Sequence, residues 1–288
     1  MKRLAAWTIL TGTVISAVSA TAAGQRVPRA RTDDLCQATG RPSSLPPLPE
    51  ASGVAPSRRS PGLLWSHNDS GEPTLFAFDA AGVLKGRARV AGARVTDWED
   101  ISVGPCARGS CLYIADIGDN NRARGQITVY GVPEPPPGES TTEPAQAWTG
   151  TYPDGPHDAE GAFMLPTGEL FIVTKENAAT AAVYRFPRPQ ERGPARLQVA
   201  AKVPVARVTD ADASADGNWV VLRTNNEVLF YRTRELLAGV RLEPQRFNVR
   251  ALREPQGEGV AFGADGVVYL TGEGNRGGTL ASLRCTLR

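Results

Sequence analysis

Five times along the chain the same unit recurs, with an acidic residue near its start, then a continuous apolar run, a polar turn and another apolar run. The acids are Glu50, Glu99, Glu160, Asp212 and Glu258, at intervals of 49, 61, 52 and 46 residues. The runs that follow are Leu63-Leu64-Trp65, Leu112-Tyr113-Ile114, Leu170 to Val173, Trp219 to Leu222 and Val267 to Leu270. A third run closes each unit, at Leu75 to Phe78, Ile127 to Tyr130, Ala182 to Phe186, Val228 to Tyr231 and Leu280 to Leu283. Apolar runs without alternation are strands covered on both faces, the situation of a blade between neighbouring blades. A unit of about 50 residues with three or four strands is blade-sized. The chain is therefore expected to be an all-β protein, a β-propeller with five blades by repeat count and a sixth left open. Chance patterning in a two-sheet sandwich would not place an acid in each of five successive units.

Composition supports this reading. Thirty glycines and 23 prolines punctuate the short runs, and only Arg234 to Gly239 has local helical character. Pro133 to Pro144 is an insertion, expected as a surface loop, that accounts for the longest interval. After Glu258 only 30 residues remain, enough for three strands, whereas Arg26 to Pro47 is unassigned. That stretch would supply the missing outer strand, so that the N-terminal strand and the C-terminal blade close the ring and remove the exposed edges of a linear array.

Met1-Lys2-Arg3, the apolar run from Leu4 to about Ala17, and small residues at Val18-Ser19-Ala20 have the order of a secretory signal. Residues 1–23 are expected as the signal peptide, cut after Ala20 or Ala23, and 24–288 as a single secreted domain. Losing Lys2 and Arg3 takes the formal charge from +2 to about zero, so no basic field remains for nucleic acid or membrane. A monomer with a small-molecule or extracellular ligand in its central channel is expected. In an oxidising compartment the four cysteines are expected to pair. Three connectivities are open. Ring closure favours Cys36 with Cys285 and leaves the short loop Cys106 to Cys111.

The first strand of a blade is the innermost, so the five acids would converge on the axis. Two carboxylates about 5 Å apart repel by roughly 3 kcal/mol at an effective dielectric near 20. A ring of them needs protonation, a cation or a basic neighbour. Hard oxygen donors with only two histidines in the chain point to calcium rather than zinc, with Glu50, Glu99, Glu160, Asp212 and Glu258 as ligands. The alternative is that the acids accept hydrogen bonds from amides and arginines and stitch the blades together. His67, Asp69, Asp116 and His157 fall beside the acidic positions and are candidates for catalysis, the histidines as general bases. Other motifs fail on context. Asp210 to Val221 lacks the glycine and terminal glutamate of an EF-hand loop. Gly272 to Gly277 fits a dinucleotide fingerprint but precedes a strand, and no nucleophile elbow, zinc-binding His-Glu-x-x-His or phosphate loop occurs.

At Glu258-Gly-Val-Ala-Phe-Gly-Ala-Asp-Gly-Val-Val-Tyr-Leu-Thr-Gly-Glu273 and Glu160-Gly-Ala-Phe163 the chain resembles calcium-dependent propeller hydrolases of the gluconolactonase, paraoxonase and phytase-like group, and NHL-type repeats. Trp65 to Gly71, Asp97 to Asp100 and Asp116 to Asn120 resemble a group of secreted bacterial propellers without established chemistry. The first resemblance implies calcium ligation by Glu258 and Glu160, the Glu of each Glu-Gly pair. It departs in blade number, since those lactonases have six, and in a ligand set of Asp and Glu rather than Asn. The expected activity is calcium-assisted hydrolysis of an ester, lactone or phosphoester. A non-catalytic binding module with a structural metal, and a five-bladed glycoside hydrolase using paired carboxylates, are the alternatives.

Overall fold

A computed structural model describes residues 35–177, 180–187, 193–240 and 243–288; the expected signal segment 1–23 lies outside the described residues. Strands β1 (Cys36–Ala38) and β2 (Ser43–Leu45) come first. Blade 1 holds β3 (Ala51–Pro56), β4 (Leu63–Asn68), β5 (Thr74–Asp79) and β6 (Leu84–Arg89). Blade 2 holds β7 (Trp98–Cys106), β8 (Gly109–Asp116), β9 (Ile127–Pro133) and β10 (Gln146–Thr151). Blade 3 holds β11 (Ala159–Met164), β12 (Leu170–Thr174), β13 (Ala181–Phe186) and, after the short β14 (Ala195–Arg196) that pairs with β10, β15 (Gln198–Val203). Blade 4 holds β16 (Val208–Ala213), β17 (Trp219–Thr224), β18 (Glu227–Arg232) and β19 (Gln245–Asn248), with helix α1 (Thr233–Leu237) before β19. Blade 5 holds β20 (Gln256–Phe262), β21 (Val267–Glu273) and β22 (Gly278–Cys285).

The result is a five-bladed β-propeller. Its innermost strands β3, β7, β11, β16 and β20 each touch the next, and β20 returns to β3. Five apolar clusters fill the five spaces between blades. Blades 1 and 2 meet through Trp65, Leu75, Leu112 and Ile114, blades 3 and 4 through Phe163, Phe171, Val220 and Leu222. This is why the second strands lack alternation: both faces of β12 and β17 are buried.

Blade 5 takes its outer strand from the N-terminus. β1 pairs with β22 in the register Cys36↔Cys285, and β2 continues the same edge through Ser43↔Leu280. The outer strand is thus two short pieces rather than one. The Cys36–Cys285 and Cys106–Cys111 disulfides are both formed. The insertion 133–144 is only partly a surface loop. Its backbone bonds to Arg89 along the outer edge of blade 1, and buried Glu134 accepts from Ser57, Ser110 and the Trp65 indole.

Every inner strand begins with a bulge opposite its second strand, at Ser52, Glu99, Glu160, Thr209 and Glu258. The next position is Gly53, Asp100, Gly161, Asp210 and Gly259, where neighbouring backbones come close. A Cβ on Gly53 would lie 2.6 Å from the Ile101 amide. The two aspartates fill the ring instead. Asp100 accepts from the Ala162 amide of blade 3 and Asp210 from the Val260 amide of blade 5, each at 2.5 Å. Their carboxyls also meet across the axis, one sharing its proton with the other. Burial raises both, Asp100 to about 6, with the neighbouring Asp100 carboxyl adding to the effect on Asp210.

The Cys36–Cys285 bond closes a loop spanning 249 residues, and the Cys106–Cys111 bond one spanning only 5. Replacing both cysteines of the long-range pair by serine is expected to cost about 2–5 kcal/mol. Loss of the short-range pair should cost less, and comparison of denaturant midpoints for the two double variants checks the order.

Candidate functional site

The bulge geometry turns Glu99, Glu160 and Glu258 toward one another at the mouth of the ring. At the two remaining equivalent positions stand Ser52 and Thr209, so the ring of five acids in register becomes three carboxylates and two hydroxyls. The hydroxyls hold neighbouring blades: Ser52 Oγ donates to the Glu99 carbonyl (2.5 Å) and Thr209 Oγ1 to the Glu258 carbonyl (3.0 Å). Asp212 lies three residues further along β16, where it accepts from the Phe262 amide at 2.8 Å; burial raises it to about 7. Glu50 precedes β3, is exposed, and accepts from Ser70.

Among the three glutamates stands Lys175, at the end of β12. Its Nζ is 2.5 Å from Glu160 Oε1, and Glu258 and Glu99 also act on it, the three acids holding its ammonium above the usual lysine range against the opposing effect of burial. Arg223 is the second cation, wholly buried, donating to the Gly259 and Thr271 carbonyls and to Glu254. Two cations do not balance the acids. Burial raises Glu99 and Glu258, with Glu160 adding to the effect on Glu99. Burial also raises Glu160, although Lys175 opposes it.

A second acidic group adjoins this one on the side of blades 5 and 1. Burial and the neighbouring Glu50 lift Asp69 to about 7, and burial with Glu258 and Glu50 lifts Glu273 to about 7. Asp69 Oδ1 is buried and has no hydrogen-bond partner among the described residues. Asp97 is likewise raised, chiefly by burial.

The four residues singled out for catalysis separate. Asp69 belongs to the mouth. Asp116 is fixed as structure, in an ion pair with Arg124 at 2.7 Å and accepting the Thr96 and Asp97 amides. His67 is fully buried between blades 1 and 2, edge-on to Trp98, and burial lowers it to about 4, so it is neutral there. His157 sits outside the three-glutamate ring, bonded to Glu176 (3.1 Å), Asp154 (3.2 Å) and Tyr184 (3.1 Å) and edge-on to Tyr152.

Lys175, Thr209 and Glu258 form part of the wall of a cavity of about 750 Å³ that opens between blades 3, 4 and 5. Its rim carries Arg207, Arg246 and Arg250 with the side-chain amides of Asn225, Asn226 and Gln256. Lys175 stands among the three glutamates, at the place where the sequence points to calcium, and among the described residues no group of three or more acidic, histidine or cysteine side chains is placed to hold a metal ion. The outer acidic group offers hard oxygen donors as well, and its Asp69 Oδ1 lacks a partner among the described residues.

These features define a five-bladed propeller with a one-sided acidic mouth. No protein-family model matches the sequence, and no curated protein is significantly similar to it. Among solved structures it is similar to the PQQ-bound aldose sugar dehydrogenase of Streptomyces coelicolor, at 12% identity over 87% of this chain and 98% of that one, with a TM-score of 0.52. It is also similar to the soluble aldose sugar dehydrogenase of Escherichia coli (13% identity, 85% and 99% covered, TM-score 0.49). A gluconolactonase of Xanthomonas campestris matches with 13% identity, 88% and 91% covered, and a TM-score of 0.47. At these identities the likeness is one of fold. Among the described residues no helix is long and apolar enough to cross a membrane.

The raised carboxyls make stability depend on pH with a definite sign. The folded protein holds protons that unfolded carboxyls, with ordinary values near 4, release as pH rises. The contribution is full below about pH 4 and is lost as pH climbs through the values near 6 and 7 of Asp100, Asp69, Asp212 and Glu273. Calorimetric Tm is expected to fall between pH 5 and pH 8. In Lys175→Met the fall should be steeper, because the glutamates lose their central counter-charge.

Proposed function

We propose that the mouth is the active site of a secreted hydrolase acting on an ester, lactone or phosphoester. The observation that supports it is the cluster of Glu99, Glu160 and Glu258 around Lys175, three carboxyls that burial holds above the usual carboxylate range, of which Glu258 lines a cavity large enough for a small ligand. In this reading Glu258 takes a proton from water as the water oxygen bonds to the substrate carbonyl carbon or phosphorus. The leaving oxygen, released as that bond breaks, takes a proton from the protonated partner in the cluster, so the reaction is neutral overall. Lys175 fixes Glu160 and places positive charge beside the oxygen on which negative charge develops.

Calcium on the outer acidic group is a second reading, favoured by the partnerless Asp69 Oδ1 and the carboxyls of Glu50 and Glu273 beside it. There Ca²⁺ would polarise a substrate oxygen. Export is supported by both disulfides and by the N-terminal charge and apolar pattern.

Purified protein is to be assayed on aryl esters, lactones and aryl phosphates, with aryl glycosides alongside, in chelator and in excess calcium. Glu258→Gln is expected to lower kcat/KM on the active substrate class by about 10²–10⁴-fold with an unchanged fold by circular dichroism. Silence of the unmodified protein on every class would leave a binding module. Turnover confined to glycosides would replace the ester reading by a glycosidase. A Tm unmoved by calcium would remove the metal.

A further inference from the structure

The mouth cavity is not uniformly acidic. Besides Glu258 and Glu227, its wall carries three guanidiniums, Arg207, Arg246 and Arg250. Arg246 is committed, paired with Glu227 at 3.2 Å. Arg250 spends its Nε on Asn226 and keeps both terminal nitrogens for other partners, and Arg207 makes no ion pair among the described residues. Arg207 also has a left-handed backbone (φ 55°), held by its amide bond to the Glu176 carbonyl. A β-bearing residue persists in that conformation only where its surroundings impose it. Asn225 uses its side-chain oxygen on the Gly257 amide, so its NH₂ is left to donate.

From this arrangement we infer that the cavity binds an oxyanion, a carboxylate or phosphate group on a hydroxyl-bearing ligand, with the anionic group on Arg207 and Arg250. Guanidinium forks match the paired oxygens of either group. The acidic groups around Glu258 disfavour an anion beside them, so charge favours the arginines as the place of the anionic end. Amide and hydroxyl groups of Asn225, Gln256 and Thr209 suit the hydroxyls of such a ligand. The inference deepens the hydrolase reading by giving its substrate a negative charge, and it rests on that reading only for turnover, since binding is measurable without it.

Isothermal titration of the unmodified protein and of Glu258→Gln, at low ionic strength, uses inorganic phosphate, glucose 6-phosphate and glucuronate, with glucose as the neutral control. Glucose 6-phosphate or glucuronate is expected to bind at least tenfold more tightly than glucose, and the tighter of the two identifies phosphate or carboxylate as the preferred group. Arg207→Gln and Arg250→Gln should each weaken that binding about tenfold, whereas Arg87→Gln, on the distant edge of blade 1, should leave it unchanged. Anions that bind no better than glucose overturn the inference. So does equal binding by Arg207→Gln and Arg250→Gln, provided both melt as the unmodified protein does. Anion binding that depends on both arginines, with no turnover of any matching ester, supports the anion site and overturns the hydrolase reading alone.

Discussion

In a ring of five blades the inner strands approach so closely that backbone meets backbone, and everything at the mouth follows from how that contact is relieved. Alternate solutions are used at one register position. Blades 1, 3 and 5 place glycine there, because a Cβ on Gly259 would strike Ser52 O and Thr271 Oγ1. Blades 2 and 4 place aspartate, whose carboxyl reaches past the contact to an amide of the next blade. The bulge just before this position lets the preceding side chain leave the plane of the blade. That is how Glu99, Glu160 and Glu258 come to face a common point while the residues after them lock the ring.

Bringing three glutamates together costs free energy that the fold meets in two ways. Lys175 and Arg223 supply positive charge, and the remaining excess is relieved by keeping protons on carboxyls that would be ionised in water. Neither device alone suffices. Arg223, donating to Gly259, Thr271 and Glu254, is tied into the wall between blades 4 and 5 and stabilises position more than charge. Lys175 alone stands among the acids with an ammonium that can exchange partners. The same imbalance that penalises the neutral-pH fold leaves proton donors and acceptors side by side, which is the condition acid–base chemistry needs.

The fold was legible because burial on both faces erases alternation. Runs such as Phe171-Ile172-Val173 and Val220-Val221-Leu222 have that property in every unit, and the short fifth unit pointed to an N-terminal outer strand, found as β1 and β2. The acidic column was legible in part. Glu99, Glu160 and Glu258 are at the bulge, but Asp212 was chosen over its neighbour Thr209, and Glu50 over Ser52, because a bulge of one residue cannot be read from spacing. Proximity in sequence does not show that the strand carries the His67 imidazole into the blade interface beside Trp98. Lys175 is one of only four lysines and stands beside Glu176 at a strand end. Its role depends on Glu160 and Glu258 arriving from other strands, which no local pattern encodes. The basic wall was hidden for the same reason: Arg207, in a loop, and Arg250, at the start of a 3-10 turn, are more than 40 residues apart.

The contact between Asp100 and Asp210 has a consequence for access. Blades 2 and 4 are not neighbours, so a bond between their carboxyls crosses the axis, and both side chains are buried. At that level the two carboxyls fill the axis, and the glutamates stand toward the end where the inner strands begin. The loops at that end differ from blade to blade: Arg124 with Asp116 in blade 2, Lys175 after β12 in blade 3, Arg207 before β16, Glu273 after β21. Fivefold repetition therefore ends at the bulge. Below it, equivalent residues do equivalent structural work; above it, each blade contributes different side chains, and the acids together with the guanidiniums of the cavity wall give the mouth a mixed charge that no repeated sequence could produce.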